Sequence, residues 1–184
     1  MLSIPRRFYR RDTARVARDL LGKMLIRRVG RGIMSGVITE TEAYKHRDDP
    51  ASHAFRNMTD RNRAMFGEVG TAYVYFTYGM HYCFNIVARS PGVEAGAVLI
   101  RAVRPEKGIK MMQNNRGMTG VNNLADGPAK LAQAMGITSS HYGTDLTSCT
   151  GLYVADGPRP KKITASARIG IRQATDRQWN FKSD

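Results

Sequence analysis

The chain has 184 residues, with 29 Lys and Arg against 15 Asp and Glu, and so a formal net charge of +14. That length holds one domain with an ample core, and 42% apolar residues exclude a disordered basic tail. No apolar run approaches the ~18 residues of a membrane span, and the arginine-rich start lacks the apolar region of a secretory leader.

The two cysteines, Cys83 and Cys149, make neither a disulfide framework nor a zinc quartet, which suits a reducing interior. An intracellular location is expected: cytoplasm or nucleoid in a prokaryote, nucleus in a eukaryote. The surplus charge predicts a polyanionic partner, because each Lys or Arg placed on a phosphate releases a condensed counterion.

The predicted elements begin with a helix capped by Asp12 or Thr13, carrying Val16, Leu20 and Leu21 on one face and ended by Gly22. Residues 23–29 and 33–42 read as a hairpin turning at Gly30–Gly32. Residues 45–70 are polar and irregular, apart from a short helix over 60–66 capped by Thr59. Strands over 71–78 and 81–89 then flank a tight turn at Tyr78-Gly79-Met80-His81.

Residues 96–103 form a third strand, apolar on both faces except for Arg101, as a central strand is. Pro105 is expected to open a helix to about residue 115, and Pro128 a second one closed by Gly136. Residues 152–156 and 162–171 are the last two predicted strands. With no linker, repeat or βαβ rhythm, the chain reads as a single α+β domain over 1–184 with a mostly antiparallel sheet.

Glu-Thr-Glu-Ala-Tyr at 40–44 ends an apolar strand, and alternation puts Glu40, Glu42 and Tyr44 on one face. Carboxylates in such a strand are costly unless paired, so they read either as a strand end reaching solvent or as a general base beside an aromatic wall. Arg101 cannot lose its charge and wants a carboxylate, which it would keep ionised. His46, Asp48, Asp49 and His53 could be taken for a metal site, but their spacing matches no zinc pattern, and no metal is expected. Tyr73, Tyr75, Tyr78 and Tyr82 crowd ten residues around a hairpin tip. Cross-strand packing explains Tyr73, whereas an aromatic at an exposed turn of a basic protein can stack on bases or wedge between base steps.

In order along the chain, ETEAY (40–44), His53, DRNRAMF (60–66), GTAYVYFTYGMHYCFN (70–85), AVLIRAVRP (97–105), GPAKLAQAMGI (127–137) and ARIGI (167–171) resemble the alkyladenine (methylpurine) DNA glycosylase family. The resemblance implies a single compact α+β domain, a curved, mostly antiparallel sheet with flanking helices and a protruding β-hairpin. It implies that Glu42 activates water, that His53 and Arg101 hold that water, and that Arg101 also positions Glu42. Tyr44, His53 and Tyr75 would sandwich a base extruded from duplex DNA, Asn85 would obstruct the 2-amino group of guanine at the pocket floor, and Tyr78 would fill the vacated place in the stack. The expected enzyme is a monomer that needs no cofactor and no membrane, and it acts on damaged purines by hydrolysis without lyase chemistry. Two departures stand out: His81 replaces a frequent aromatic outside the expected pocket, and Asn180 replaces the arginine of a Trp-Arg-Phe ending, which puts a C-terminal contact in question but not the chemistry.

A non-catalytic basic nucleic-acid-binding module is the alternative, with Glu42 and Arg101 as structure only. A metal-dependent nuclease using His46, Asp48, Asp49 and His53 is a third reading.

Overall fold

The computed structural model describes all 184 residues, Met1–Asp184, and one antiparallel sheet organises them. Its strands are β1 (Met24–Val29), β2 (Gly32–Lys45), β3 (Ala72–Thr77), β4 (His81–Val87), β5 (Gly96–Lys107), β6 (Leu152–Ala155), β7 (Ile163–Ser166) and β8 (Asn180–Ser183). Strand order runs β3-β4-β5-β2-β1-β6, and β8, itself paired with β7, joins β2 past the end of β1. Every pairing is antiparallel. The α+β class, the curled sheet and the single domain expected above are what the structure has.

Four helices flank the sheet: α1 (Thr13–Asp19), α2 (Arg63–Phe66), α3 (Ile109–Arg116) and α4 (Pro128–Ala134). Asp12 caps α1, its carboxylate accepting from the Ala14 and Arg15 N–H groups at 3.0 and 3.1 Å. The apolar face of α1, with Val16 and Ala17, packs on β2 and β5, and the Thr41 hydroxyl donates to the Ala17 carbonyl at 2.7 Å. That bond ties the helix to the strand carrying Glu40 and Glu42. On the sheet's neighbouring stretch α4 covers β4, and together they enclose Leu25, Ile38, Phe84, Ile86, Ile100 and Leu131. Each such buried apolar side chain contributes about 1.5–3 kcal/mol.

Long strands curl this sheet because β2 and β5 are out of step. Their register shifts near Gly36 and again around Glu40, so that Glu40 faces Ala102 while Thr41 faces Ile100. Arg101 is thus left without an opposite residue, as the extra residue of a bulge, a feature that re-aims a side chain.

Three expectations are corrected. Pro105 opens no helix: β5 runs on to Lys107 with Pro105 opposite Gly36 beside a bulge, where a missing N–H is tolerated. The chain turns instead at Gly108, whose φ of +72° and whose distance of 2.4 Å from a would-be Cβ to the Ile33 carbonyl admit no side chain. The strand expected over 162–171 stops at Ser166, and the strand Asn180–Ser183 was not anticipated at all. Finally, α2 is preceded by Asn62, not capped by Thr59.

Candidate active site

A cleft of about 280 Å³ opens beside β3, β4 and β5, near the lower end of the range for small-ligand pockets, about 300–1,000 Å³. Tyr44, His53, Tyr75, Tyr78, Asn85 and Arg101 all line it, together with Ile169 and Gly170. Residues expected to act together from four separate stretches of sequence therefore converge on one cavity.

Glu42 lies one layer behind that lining. Its side chain is fully buried, and its two oxygens accept four hydrogen bonds. The Ile169 N–H at 2.7 Å and Asn180 Nδ2 at 3.0 Å hold Oε1. The Tyr44 hydroxyl at 2.8 Å and Arg101 Nη1 at 3.2 Å hold Oε2. A carboxylate offers about four lone-pair positions, so this set satisfies it completely. Burial, then the neighbouring Glu42 charge, pushes the Tyr44 pKa well up, so the phenol stays protonated and donates.

Arg101 is shared: its Nε donates to Glu40 Oε1 at 2.9 Å while Nη1 serves Glu42. Asn180 bridges the same pair, donating from one Nδ2 to Glu40 at 2.8 Å and Glu42 at 3.0 Å. The expectation that Asn180 concerns only a C-terminal contact is therefore corrected: it falls inside the carboxylate cluster, because β8 lies along Glu40–Glu42.

His53 sits at the mouth, exposed, with Nδ1 2.9 Å from the Tyr73 hydroxyl and its ring edge-on to Tyr75 at 4.7 Å. Nearby protein atoms and then the Arg61 charge lower its pKa, favouring the neutral imidazole. Its loop is fixed by Asn62, whose Nδ2 donates to the carbonyls of His53 at 2.7 Å and Asn57 at 3.0 Å. Tyr73 is buried, as cross-strand packing implied, yet it also lines the cleft and holds His53. Asn85 is buried beneath the tyrosines, its Nδ2 donating to the Tyr73 carbonyl at 3.0 Å.

Tyr78 stands at the apex between β3 and β4, 87% exposed, with φ of +53°. Gly79 follows at +67°, and Met80 N–H donates to the Thr77 carbonyl, so two consecutive left-handed residues make the turn. A bulky residue there is strained by about 1–3 kcal/mol, a cost typical of functional positions.

The four residues of the metal reading do not converge. His46 Nδ1 meets the Ala54 carbonyl, Asp48 pairs with Arg177, and His53 faces Tyr73. Asp49 forms a fully buried two-pronged ion pair with Arg168, both bonds 2.7 Å. No group of three His, Cys, Asp or Glu side chains is placed to hold a metal ion.

Sequence reasoning missed Arg168 and Asn62, and it singled out Asp49 and Asn180 only for a metal reading and a terminal contact. For Arg168 a signal existed: an arginine inside the apolar run Ala-Arg-Ile-Gly-Ile invites the argument made for Arg101.

Residues 7–184 match the family model of the methylpurine-DNA glycosylases. A protein of Carboxydothermus hydrogenoformans is 47% identical over 180 residues, covering 97% of this chain and 93% of its own. One from Methanocella arvoryzae is 47% identical over 182 residues, covering 97% and 90%. One from Rubrobacter xylanophilus is 44% identical over 164 residues, covering 89% and 84%. Each carries the name "Putative 3-methyladenine DNA glycosylase". This chain belongs to the methylpurine-DNA glycosylase family, enzymes of DNA repair.

Proposed function

We propose that the protein hydrolyses the N-glycosidic bond of alkylated and deaminated purines (3-methyladenine, 7-methylguanine, hypoxanthine, ethenoadenine) in duplex DNA, as a monomer without a cofactor. The observation that carries this reading is Glu42 set behind a tyrosine-lined slot of single-base size and paired with Arg101, which lines that slot.

A glycosidic bond breaks through an oxocarbenium-like sugar, which needs nearby negative charge and an oriented water. Glu42 supplies both. A water bound to Glu42 takes the Oε2 position that the Tyr44 side chain holds here, so Tyr44 has to shift, and Arg101 and His53 are the polar groups of the lining that would hold that water. When the departing purine is already cationic, no second acid is required. The target lies inside the duplex, so the nucleotide flips, at a cost of a few kcal/mol that Tyr78 insertion and phosphate contacts offset. An electron-poor ring gains from stacking on Tyr44 and Tyr75, and Asn85 at the floor rejects the 2-amino group of guanine.

Hydrolysis without lyase chemistry is supported by the lining, which contains no lysine. The nearest candidate, Lys45, is turned away, with Nζ on Asp12 at 2.5 Å and over the Trp179 ring at 4.8 Å.

The test is Glu42→Gln. The amide oxygen keeps the Ile169 and Asn180 bonds and the Tyr44 hydroxyl turns to accept from the new NH₂, while Arg101 loses its Glu42 bond and keeps Glu40 through Nε, so circular dichroism and Tm accompany the assay to check the fold. In EDTA, alkali should reveal no abasic sites in lesion-bearing duplexes treated with the variant, although it still binds them. Undiminished base release would refute the hydrolase reading and leave a basic binding module. Borohydride should trap no adduct with the wild type.

A further inference from the structure

We propose that the buried Arg168–Asp49 ion pair sets the charge behind the Tyr44 wall and thereby the balance between cationic and neutral purines in the cleft. The inference rests on the glycosylase reading above.

The guanidinium carbon of Arg168 lies 4.7 Å from the Tyr44 ring centroid and 5.2 Å from that of Trp179. Tyr44 lines the cleft and Arg168 does not, so the ring stands between the cation and the slot. A purine stacked on the free face of Tyr44, at about 3.5 Å, is about 8 Å from the guanidinium. An uncompensated cation there draws on the same ring electrons that would attract a cationic base from the front. Asp49, bonded twice to that guanidinium at 2.7 Å, cancels its charge.

Stability alone does not account for the pair. Both side chains are wholly buried, where a well-packed apolar pair commonly serves as well or better. The pair is also imperfectly satisfied, since Arg168 Nε is buried without a hydrogen-bond partner.

The rest of the layer repeats the pattern. Lys45 and Arg177 lie over Trp179 at 4.8 and 4.6 Å, and each meets its own carboxylate, Asp12 at 2.5 Å and Asp48 at 3.5 Å. A chain with 29 basic and 15 acidic residues thus places three carboxylates where they neutralise the cations behind one wall of the cleft.

Arg168 further anchors the cleft segment through Nη1, which donates to the Ala43 carbonyl at 2.9 Å, next to the Ile169 N–H that holds Glu42. A merely structural role would follow from that anchoring, and the experiment separates the two.

In a Glu42→Gln background, affinities are measured for duplexes bearing 7-methylguanine (cationic) or ethenoadenine (neutral). Adding Asp49→Asn should weaken the cationic lesion relative to the neutral one by about 10- to 30-fold, from unit charges about 8 Å apart at an effective dielectric near 20. Arg168→Met, with Asp49 kept, should shift the ratio the opposite way. The uncharged pair Asp49→Leu with Arg168→Met should restore it. Equal weakening of both lesions, or a ratio that ignores the sign of the charge left behind, would overturn the proposal. If the Glu42→Gln protein does not prefer lesion-bearing over intact duplex, the glycosylase reading itself fails instead.

Discussion

Asn180 offers the sharpest test of how the carboxylate cluster is held. Asn180→Ala removes two hydrogen bonds to charged oxygens, at 2.8 and 3.0 Å, from a residue with no solvent exposure. Bonds to charged groups contribute about 1.5–3 kcal/mol each. A water entering the vacated space restores part of this, which leaves a net loss of about 2–4 kcal/mol. For a chain of this size, each kcal/mol moves Tm by roughly 2–4 °C, so calorimetry should show a fall of about 5–12 °C. Base release under single-turnover conditions should drop about tenfold, equivalent to ~1.4 kcal/mol, as Glu42 loses half the support of Oε1. Ser166→Ala is the comparator: its hydroxyl reaches Asn180 Oδ1 only at 3.4 Å, and its loss should leave both readings near wild type. A Tm for Asn180→Ala within 2 °C of wild type, on that same scale, would mean that Glu40 and Glu42 do not depend on this amide, and the account of the cluster would be wrong.

Two further outcomes follow from the hairpin and from the buried histidine. Tyr78→Gly relieves the left-handed strain at the apex, so stability should hold or rise by about 1 kcal/mol, while affinity for lesion-bearing duplex falls at least tenfold in a fluorescence-anisotropy titration. Loss of both together, or of neither, contradicts the assignment of that strain to function.

His141 is held below the ordinary histidine pKa by burial and then by the Arg27 charge, and its Nδ1 accepts from the Thr138 N–H at 3.1 Å. The unfolded chain therefore takes up the proton first. Stability is full above about pH 6.5 and is lost as pH falls toward the lowered folded value, with His53 contributing in the same direction. The drop in Tm between pH 7.5 and 5.5 should be smaller in His141→Asn than in wild type; identical drops would show that the imidazole is not the group responsible.

Much of this architecture could be read along the chain because it depends on local rules. Asp12 before an apolar stripe, Pro128 opening and Gly136 closing a helix, and alternating aromatics on either side of a Gly-containing turn each specify their element within a few residues. The pairing of Glu42 with Arg101 was legible for a similar reason: a permanent cation and a carboxylate in two apolar strands each need a partner, and each is the nearest remedy for the other. Pro105 misled because a proline signals a helix start in isolation, while a bulge in a long strand excuses it equally well.

The amino-acid order by itself determined the class of fold, the excess of positive charge and the pairing of Glu42 with Arg101, because periodicity, capping and uncompensated charge are properties of short segments. What only the tertiary structure decided is how that pair is enclosed. Asn180 arrives on a strand too short and polar to announce itself, Arg168 reaches Asp49 across more than a hundred residues, and the bulge at Arg101 exists only because β2 and β5 pair out of step. Such contacts depend on which surfaces meet when the sheet curls, and no local pattern encodes the meeting.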